Sequence, residues 1–190
     1  ERDNSLRMML ANVAHEIRNP LGGIEIFANL LAEDLQGTPK EHTEKIIKEV
    51  KNLNDIVTQF LEYAKPAKPV KEITSVDELI DDVLFLLSLE FDKKGIKIRK
   101  ELDHGKDNIY ADPNQIKRVF MNILKNGIQV MENDGEFIIK SEIDGDYINV
   151  MISNNGPNIP KENLDKIFDP FFTTKEKGAG LGLSIVKKLV

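Results

Sequence analysis

The stretch His15-Glu16-Ile17-Arg18-Asn19-Pro20-Leu21 lies in a run whose apolar positions, Leu6, Leu10, Val13, Ile17, Leu21, Ile24, Phe27, Leu31 and Leu35, recur in steps of three and four. That spacing predicts one long helix from about Asn4 to Leu35, with Asn4 or Ser5 as its cap. His15 is two residues from both Val13 and Ile17. At about 100° per residue it lies roughly 200° round from each, off the apolar stripe. Asn12 and Asn19 stand one turn to either side on that outward face, and Glu16 is the chain neighbour. A histidine on a wet helical face beside a carboxylate suits a nucleophile or a proton carrier; a solvated surface histidine has the same local pattern. Pro20 removes a backbone hydrogen bond inside the helix and predicts a kink next to the histidine.

Moving outward, Gly37-Thr38-Pro39 is expected to end the first helix. Ile46, Val50, Leu53, Val57, Phe60 and Ala64 then alternate in steps of four and three, a heptad seam with Glu and Lys crowding the other positions. The short connection makes the two helices antiparallel neighbours. A lone hairpin leaves much of each stripe in water, more than a soluble monomer normally shows. Pairing with a second copy as a four-helix bundle removes the excess, so a homodimer through residues 1–67 is expected. Lys65-Pro66-Ala67-Lys68-Pro69 breaks the pattern and reads as a linker. Two domains are expected, residues 1–67 and residues 68–190.

Composition narrows the class. The formal net charge of -6 over 190 residues argues against a nucleic-acid footprint. The absence of cysteine excludes disulfides and thiolate metal sites, and fits a reducing compartment. No apolar run reaches the roughly eighteen residues of a membrane span, and Glu1-Arg2-Asp3-Asn4 has none of the pattern of a signal peptide. No membrane contact is expected within the stretch. A start without Met and a stop inside an apolar helix suggest a piece of a longer protein.

Beyond the linker the periodicity changes. Ser75 to about Phe91 is amphipathic and predicts one helix; Gly95–Leu102 and Asn108–Ala111 read as strands. Asp112 caps a helix that opens with Pro113 and carries Ile116, Val119, Phe120, Ile123, Leu124 and Ile128. Phe137–Ile143 and Tyr147–Ser153 are strands joined by Asp144-Gly145-Asp146, a hairpin signal. A short helical stretch around Leu164–Phe168 and a final helix from about Leu181 complete an α+β sandwich.

Three features of this second domain suit phosphate and base chemistry. Asn122 and Asn126 are four apart on one helix, so both amides point the same way, and an amide oxygen is a good ligand for Mg²⁺. Asn154-Asn155-Gly156-Pro157-Asn158-Ile159-Pro160 leaves a predicted buried strand as a loop that can accept a flat base edge. Gly178-Ala179-Gly180-Leu181-Gly182-Leu183 leads straight into an apolar helix, where glycines and free N–H groups can meet phosphate oxygens. It is neither the dinucleotide fingerprint nor a Walker loop. The His-Arg-Asp and Asp-Phe-Gly elements of a Ser/Thr/Tyr kinase are absent too.

In this order and spacing the segments resemble a two-component sensor histidine kinase over nearly the whole chain. His15–Leu21 resembles the family's phosphoacceptor box, Asn122–Asn126 its asparagine box, and Asn154–Pro160 its first glycine box. Ile167–Lys175 resembles its phenylalanine box and Gly178–Ile185 its second glycine box. The resemblance implies an all-α dimerisation and phosphotransfer hairpin, followed by an ATP-binding domain of the Bergerat type shared with certain chaperones and topoisomerases. It implies that His15 takes the γ-phosphoryl group of ATP and passes it to an aspartate on a response-regulator receiver domain. Glu16 would hold the other ring nitrogen, and Asn19 would position water or the partner's aspartate. Asn126 would coordinate Mg²⁺, with Asn122 near the phosphates. Asn154 and Gly156 would meet the base. Phe168, Thr173, Thr174, Lys175, Gly178, Gly180, Leu181 and Gly182 would belong to the lid and glycine loop over the nucleotide. Location in the cytoplasm follows, including the cytoplasmic part of a membrane-anchored sensor.

Two departures stand out. Asn154 occupies the position where the family has an aspartate that accepts from the adenine amino group. A neutral acceptor in place of a charged one costs about 1 kcal/mol, so binding is expected to weaken and not vanish. Asn158 stands where glycine is usual. The family pattern also implies strands after Val190, which would leave the domain incomplete at its C-terminus. The alternatives are a dimeric phosphotransfer or phosphatase scaffold with impaired nucleotide binding, and a Bergerat ATPase acting as a clamp.

Overall fold

The computed structural model describes residues 17, 21–32, 35, 37–64, 68–102, 108–175 and 179–190. His15, Glu16, Asn19, Pro20, the helix cap at Asn4 or Ser5, residues 65–67 and Gly178 lie outside the described residues. The chain forms two compact units: Glu1–Ala67 with Thr173–Leu181, and Lys68–Phe172 with Gly182–Val190.

In the first unit, helix α1 covers residues 21–32 and helix α2 covers Thr38–Ala64. Glu25 of α1 meets Lys51 Nζ at 3.9 Å and accepts from Asn54 Nδ2 at 3.5 Å, so α2 returns alongside α1. Gly37 takes a left-handed φ of 67° between them. Thr38-Pro39 does not end the first helix, as the sequence suggested, but opens the second. A proline in the first turn loses no hydrogen bond, because the N–H groups there have no helical acceptor. The Pro39 carbonyl is used instead, accepting from the buried Thr43 Oγ1 at 2.9 Å. Each helix carries two apolar seams. Leu21 and Ala28 on α1, and Val50 and Val57 on α2, are buried. Ile24, Phe27 and Leu31, with Ile46 and Leu53, remain exposed, Phe27 by 68%.

The second unit is an α/β sandwich. Strand β1 (Glu72–Ser75) leads into helix α3 (Val76–Leu86) and helix α4 (Ser88–Lys94). Strands β2 (Lys97–Glu101) and β3 (Asn108–Ala111) follow, then helix α5 (Pro113–Val130). Strands β4 (Glu136–Asp144) and β5 (Tyr147–Asn154) form a hairpin; a 3-10 turn at Lys161–Asn163 and helix α6 (Gly182–Leu189) come last. β2 runs parallel to β4 with Lys97 opposite Glu136, and β4 runs antiparallel to β5 with Phe137 opposite Asn154. β1 and β3 make a separate antiparallel pair.

The core lies between the sheet and the helices. Phe137 and Ile139 of β4 are fully buried against Ile80, Val83, Leu87 and Leu124, and Phe91 meets Phe137 edge to face at 6.0 Å. Three expectations are corrected here. The amphipathic run from Ser75 is two helices, broken at Leu87, which leaves helical geometry at φ -95°, ψ 1° while its side chain stays in the core. The helical stretch expected at Leu164–Phe168 is a series of turns preceded by the 3-10 turn. β5 is not a buried strand: half-buried Ile148, Val150 and Ile152 alternate with exposed Tyr147, Asn149 and Met151, the pattern of a strand covered on one face.

Candidate functional site

Helix α5 carries the paired asparagines and is held at both ends. Asp112 caps it: Oδ1 accepts from Asn114 N at 2.9 Å and Gln115 N at 3.1 Å, while Oδ2 accepts from Val70 N at 2.7 Å. The bond from Val70, then those from Gln115 and Asn114, hold this carboxyl below the ordinary carboxylate range. At the far end Lys94 Nζ donates to the carbonyls of Ile128 and Met131, both at 2.7 Å, supplying the partners and the positive charge that a helix C-terminus lacks. Val119, Phe120, Leu124 and Ile128 bury one face of the helix. Asn122 and Asn126 are half-buried on its border.

Gly182 begins α6 against those amides. A Cβ on it would stand 3.6 Å from Asn122 Oδ1 and 3.8 Å from Asn126 Nδ2. The N-terminus of α6 therefore stands beside two side-chain amides. Asn122 Nδ2 is buried and has no hydrogen-bond partner among the described residues. A buried donor in that state costs about 1–3 kcal/mol, and an anionic oxygen between α5 and α6 would satisfy it. The donor set is amide oxygen and backbone N–H, and no cluster of three His, Cys, Asp or Glu suited to a metal occurs among the described residues. Of these groups only a side-chain amide oxygen can ligate a hard cation, one that takes most of its other ligands from phosphate and water.

One residue along, Gly127 connects this corner to the end of β5. A Cβ there would meet Phe137 Cζ at 2.5 Å and Asn154 Nδ2 at 3.4 Å. Asn154 Oδ1 accepts from Gly156 N at 2.9 Å. Gly156 has no room for a side chain either: a Cβ would stand 2.8 Å from Asn154 Oδ1 and 3.0 Å from Met131 Cγ. Asn155 ties the loop to the start of β4, donating its N–H to the Glu136 carbonyl at 3.2 Å and accepting the Glu136 N–H through Oδ1 at 2.9 Å. Asn122, Asn126, Asn154, Gly156 and Gly182 thus line one side of α5. The sequence reading did not single out Lys94 or Gly127, and took in Asn155 only as part of the Asn154–Pro160 loop. Only Gly127 left a signal, a glycine inside a helix where alanine would be favoured.

Phe168 is partly exposed, with Lys187 Nζ 5.8 Å from its ring centroid, a cation–aromatic distance. Phe171 adopts a left-handed φ of 66° and is exposed. In the unit that includes the hairpin, Thr173 Oγ1 accepts from Lys175 N at 3.1 Å, and Thr174 is exposed. Burial pushes the Lys175 ammonium below its ordinary pKa. Gly180 has a left-handed φ of 65°, and Leu181 is fully buried.

Residues 5–69 match the family model of the His Kinase A (phospho-acceptor) domain, and residues 111–190 match that of the histidine kinase-, DNA gyrase B- and HSP90-like ATPases. The chain belongs to the histidine kinases. Sporulation kinase E of Bacillus subtilis (strain 168) is 34% identical over 96% of this chain and 25% of its own length. Sensor histidine kinase ZraS of Escherichia coli (strain K12) is 32% identical over 98% of this chain and 40% of its own length. This histidine kinase chain therefore spans between a quarter and two fifths of the length of these curated relatives. Among solved structures, full-length ShkA in complex with AMPPNP superposes with a TM-score of 0.80 at 26% identity, covering 96% of this chain and 40% of that one. Histidine kinase ThkA in complex with the response regulator TrrA gives 0.72 at 35% identity, covering 100% of this chain and 57% of that one. A helical hairpin followed by an ATPase-type sandwich of helices and strands is the architecture expected from the sequence, with β2 and β4 pairing in parallel within it. No helix among the described residues is long and apolar enough to cross a membrane.

Proposed function

We propose that this chain is the kinase core of a sensor histidine kinase, an ATP-dependent protein-histidine kinase that phosphorylates His15 and then an aspartate of a response regulator. The observation that carries the reading is the corner at Gly182. Two helix-borne amides, one with an unsatisfied buried donor, face the start of a helix in a domain that matches an ATPase family. Phosphoryl transfer asks a protein mainly for positioning and charge neutralisation. Asn122 and the N–H groups of α6 hold phosphate oxygens, Asn126 holds Mg²⁺, and Asn154 with Gly156 holds the base edge. Mg²⁺, when bound, neutralises charge that builds on the phosphate oxygens.

The neutral imidazole of His15 attacks the γ-phosphorus with a ring-nitrogen lone pair. The N–P bond forms as the bond to the β–γ bridging oxygen breaks, and ADP leaves. Glu16 orients the ring through its other nitrogen and takes up the proton as that nitrogen becomes acidic. A carboxylate of the regulator then attacks the same phosphorus; as the N–P bond breaks, Glu16 returns the proton to the ring nitrogen it holds and neutral histidine leaves, with Asn19 positioning the incoming group. Phe168, Thr173, Thr174, Lys175, Gly178, Gly180, Leu181 and Gly182 belong to the nucleotide-binding set. The exposed seam of Ile24, Phe27, Leu31, Ile46 and Leu53 supports a homodimer through residues 1–67, since a second copy buries it as a four-helix bundle. Residues 68–190 act as the catalytic domain, and the cytoplasm is where a receiver domain and ATP meet it. The relatives' names favour catalysis over the scaffold alternative.

The test is incubation with γ-labelled ATP and Mg²⁺. Acid-labile, base-stable label is expected on the chain, absent in His15→Ala. A folded chain that takes no label, or takes it equally in His15→Ala, overturns the proposal.

A further inference from the structure

We infer that Asn154 sets the nucleobase class of this site, making it receptive to 6-oxopurine nucleotides (hypoxanthine or guanine) at least as well as to adenine nucleotides. The inference rests on the reading that Asn154 faces the base. Its physical ground is the orientation of one amide. Asn154 Oδ1 accepts the Gly156 N–H at 2.9 Å and closes a turn between side chain and backbone. Only oxygen can fill that role. Rotating the amide by 180° would set the NH₂ group against the Gly156 N–H, donor against donor. The turn is also tight, because Gly156 has no space for a Cβ between Asn154 Oδ1 and Met131 Cγ.

The amide atom left over by this turn is therefore Nδ2. It lies on the Gly127 side, at the exposed end of β5, and it makes no hydrogen bond among the described residues. A carboxylate closing the same turn would present a second acceptor oxygen. That oxygen pairs with the 6-amino group of adenine and repels a 6-carbonyl. The amide presents a donor instead, which pairs with the 6-carbonyl of hypoxanthine or guanine and opposes a 6-amino group. One atom reverses the match, and sites that read a ligand by hydrogen bonds discriminate strongly because a mismatch leaves a polar group unpaired.

The test is calorimetric titration of the full chain with Mg²⁺ and either ADP or IDP, which differ only at the purine 6-position and its coupled ring proton. Asn154→Asp is the second protein, chosen because an aspartate accepts the same Gly156 N–H and keeps the turn. Wild type is expected to bind IDP as tightly as ADP or tighter. The ratio of Kd for IDP to Kd for ADP should rise at least tenfold in Asn154→Asp. An equal ratio in the two proteins, with ADP preferred in both, overturns the inference and leaves the nucleotide site standing. Failure of both nucleotides to bind either protein overturns the site reading itself, and the inference with it.

Discussion

Replacing Gly127 by alanine tests how tightly α5 is seated on the sheet. The added Cβ would stand 2.5 Å from Cζ and 2.7 Å from Cε1 of Phe137. Ordinary carbon–carbon contact is about 3.5–4.0 Å, so ring or helix must yield by roughly 1 Å. The ring has no easy exit, being fully buried and packed edge to face on Phe91. Overpacking in such a site costs about 1–3 kcal/mol, here toward the upper end because both contacts are to one rigid ring. Against it, alanine in a helix interior regains about 1 kcal/mol over glycine. The net expectation for Gly127→Ala is a destabilisation of about 1–2 kcal/mol, or roughly 5 °C in melting temperature. Thermal unfolding followed by near-UV circular dichroism reads it, with Gly127→Ala/Phe137→Leu beside it. The double variant should recover part of the loss, since leucine vacates the space the methyl needs. A melting temperature unchanged or raised in Gly127→Ala would show that propensity, not this contact, decides the position, and the reasoning would fall.

Three further expectations follow from other contacts. Asp112 has a depressed folded pKa, so its contribution is fully present above the unfolded carboxylate value near pH 4 and is lost as pH falls through the lower folded value. Asp112→Ala should cost about 1–2 kcal/mol at pH 7, and the gap in melting temperature from wild type should close in acid; a gap independent of pH contradicts this. Lys94→Met removes two bonds to the last carbonyls of α5 and should destabilise by about 2 kcal/mol in urea unfolding, where no change would mean water replaces the ammonium at no cost. Phe27→Ser with Leu31→Ser should turn the dimer toward monomer in sedimentation equilibrium while leaving helicity intact; a dimer of unchanged strength would place the contact elsewhere.

What could be read from the chain beforehand was whatever is local. Asp112-Pro113 announced α5 because cap and first-turn chemistry involve neighbours in sequence, and Gly145 marked the β4–β5 hairpin because the turn itself requires φ of 59°. The apolar pattern of α2 was legible as a heptad and that of α1 as a stripe in steps of three and four, but not which of these positions face the partner helix and which stay exposed. β1 was not, since four residues with an exposed Ile73 show no pattern of their own and become a strand only by pairing with β3. The break at Leu87 hid for a related reason: its side chain keeps the apolar phase of the helix while the backbone leaves it. The asparagine pair and both glycine loops were visible as residue types at spacings. The direction of the Asn154 amide was not, because it depends on the Gly156 N–H arriving at one of its two atoms.

A single carboxylate joins two parts of the molecule that the chain keeps 42 residues apart. Asp112 grips the backbone of Val70, just past the linker, with one oxygen and the first turn of the asparagine helix with the other. A tug on the polypeptide ahead of Val70 thus reaches the base of α5 without crossing the hydrophobic interior. Along that rod, at about 1.5 Å per residue, the two amides ride roughly 15–20 Å from the handle. The strap and the rod share one knot, and its loosening releases Val70 and uncaps the first turn of α5.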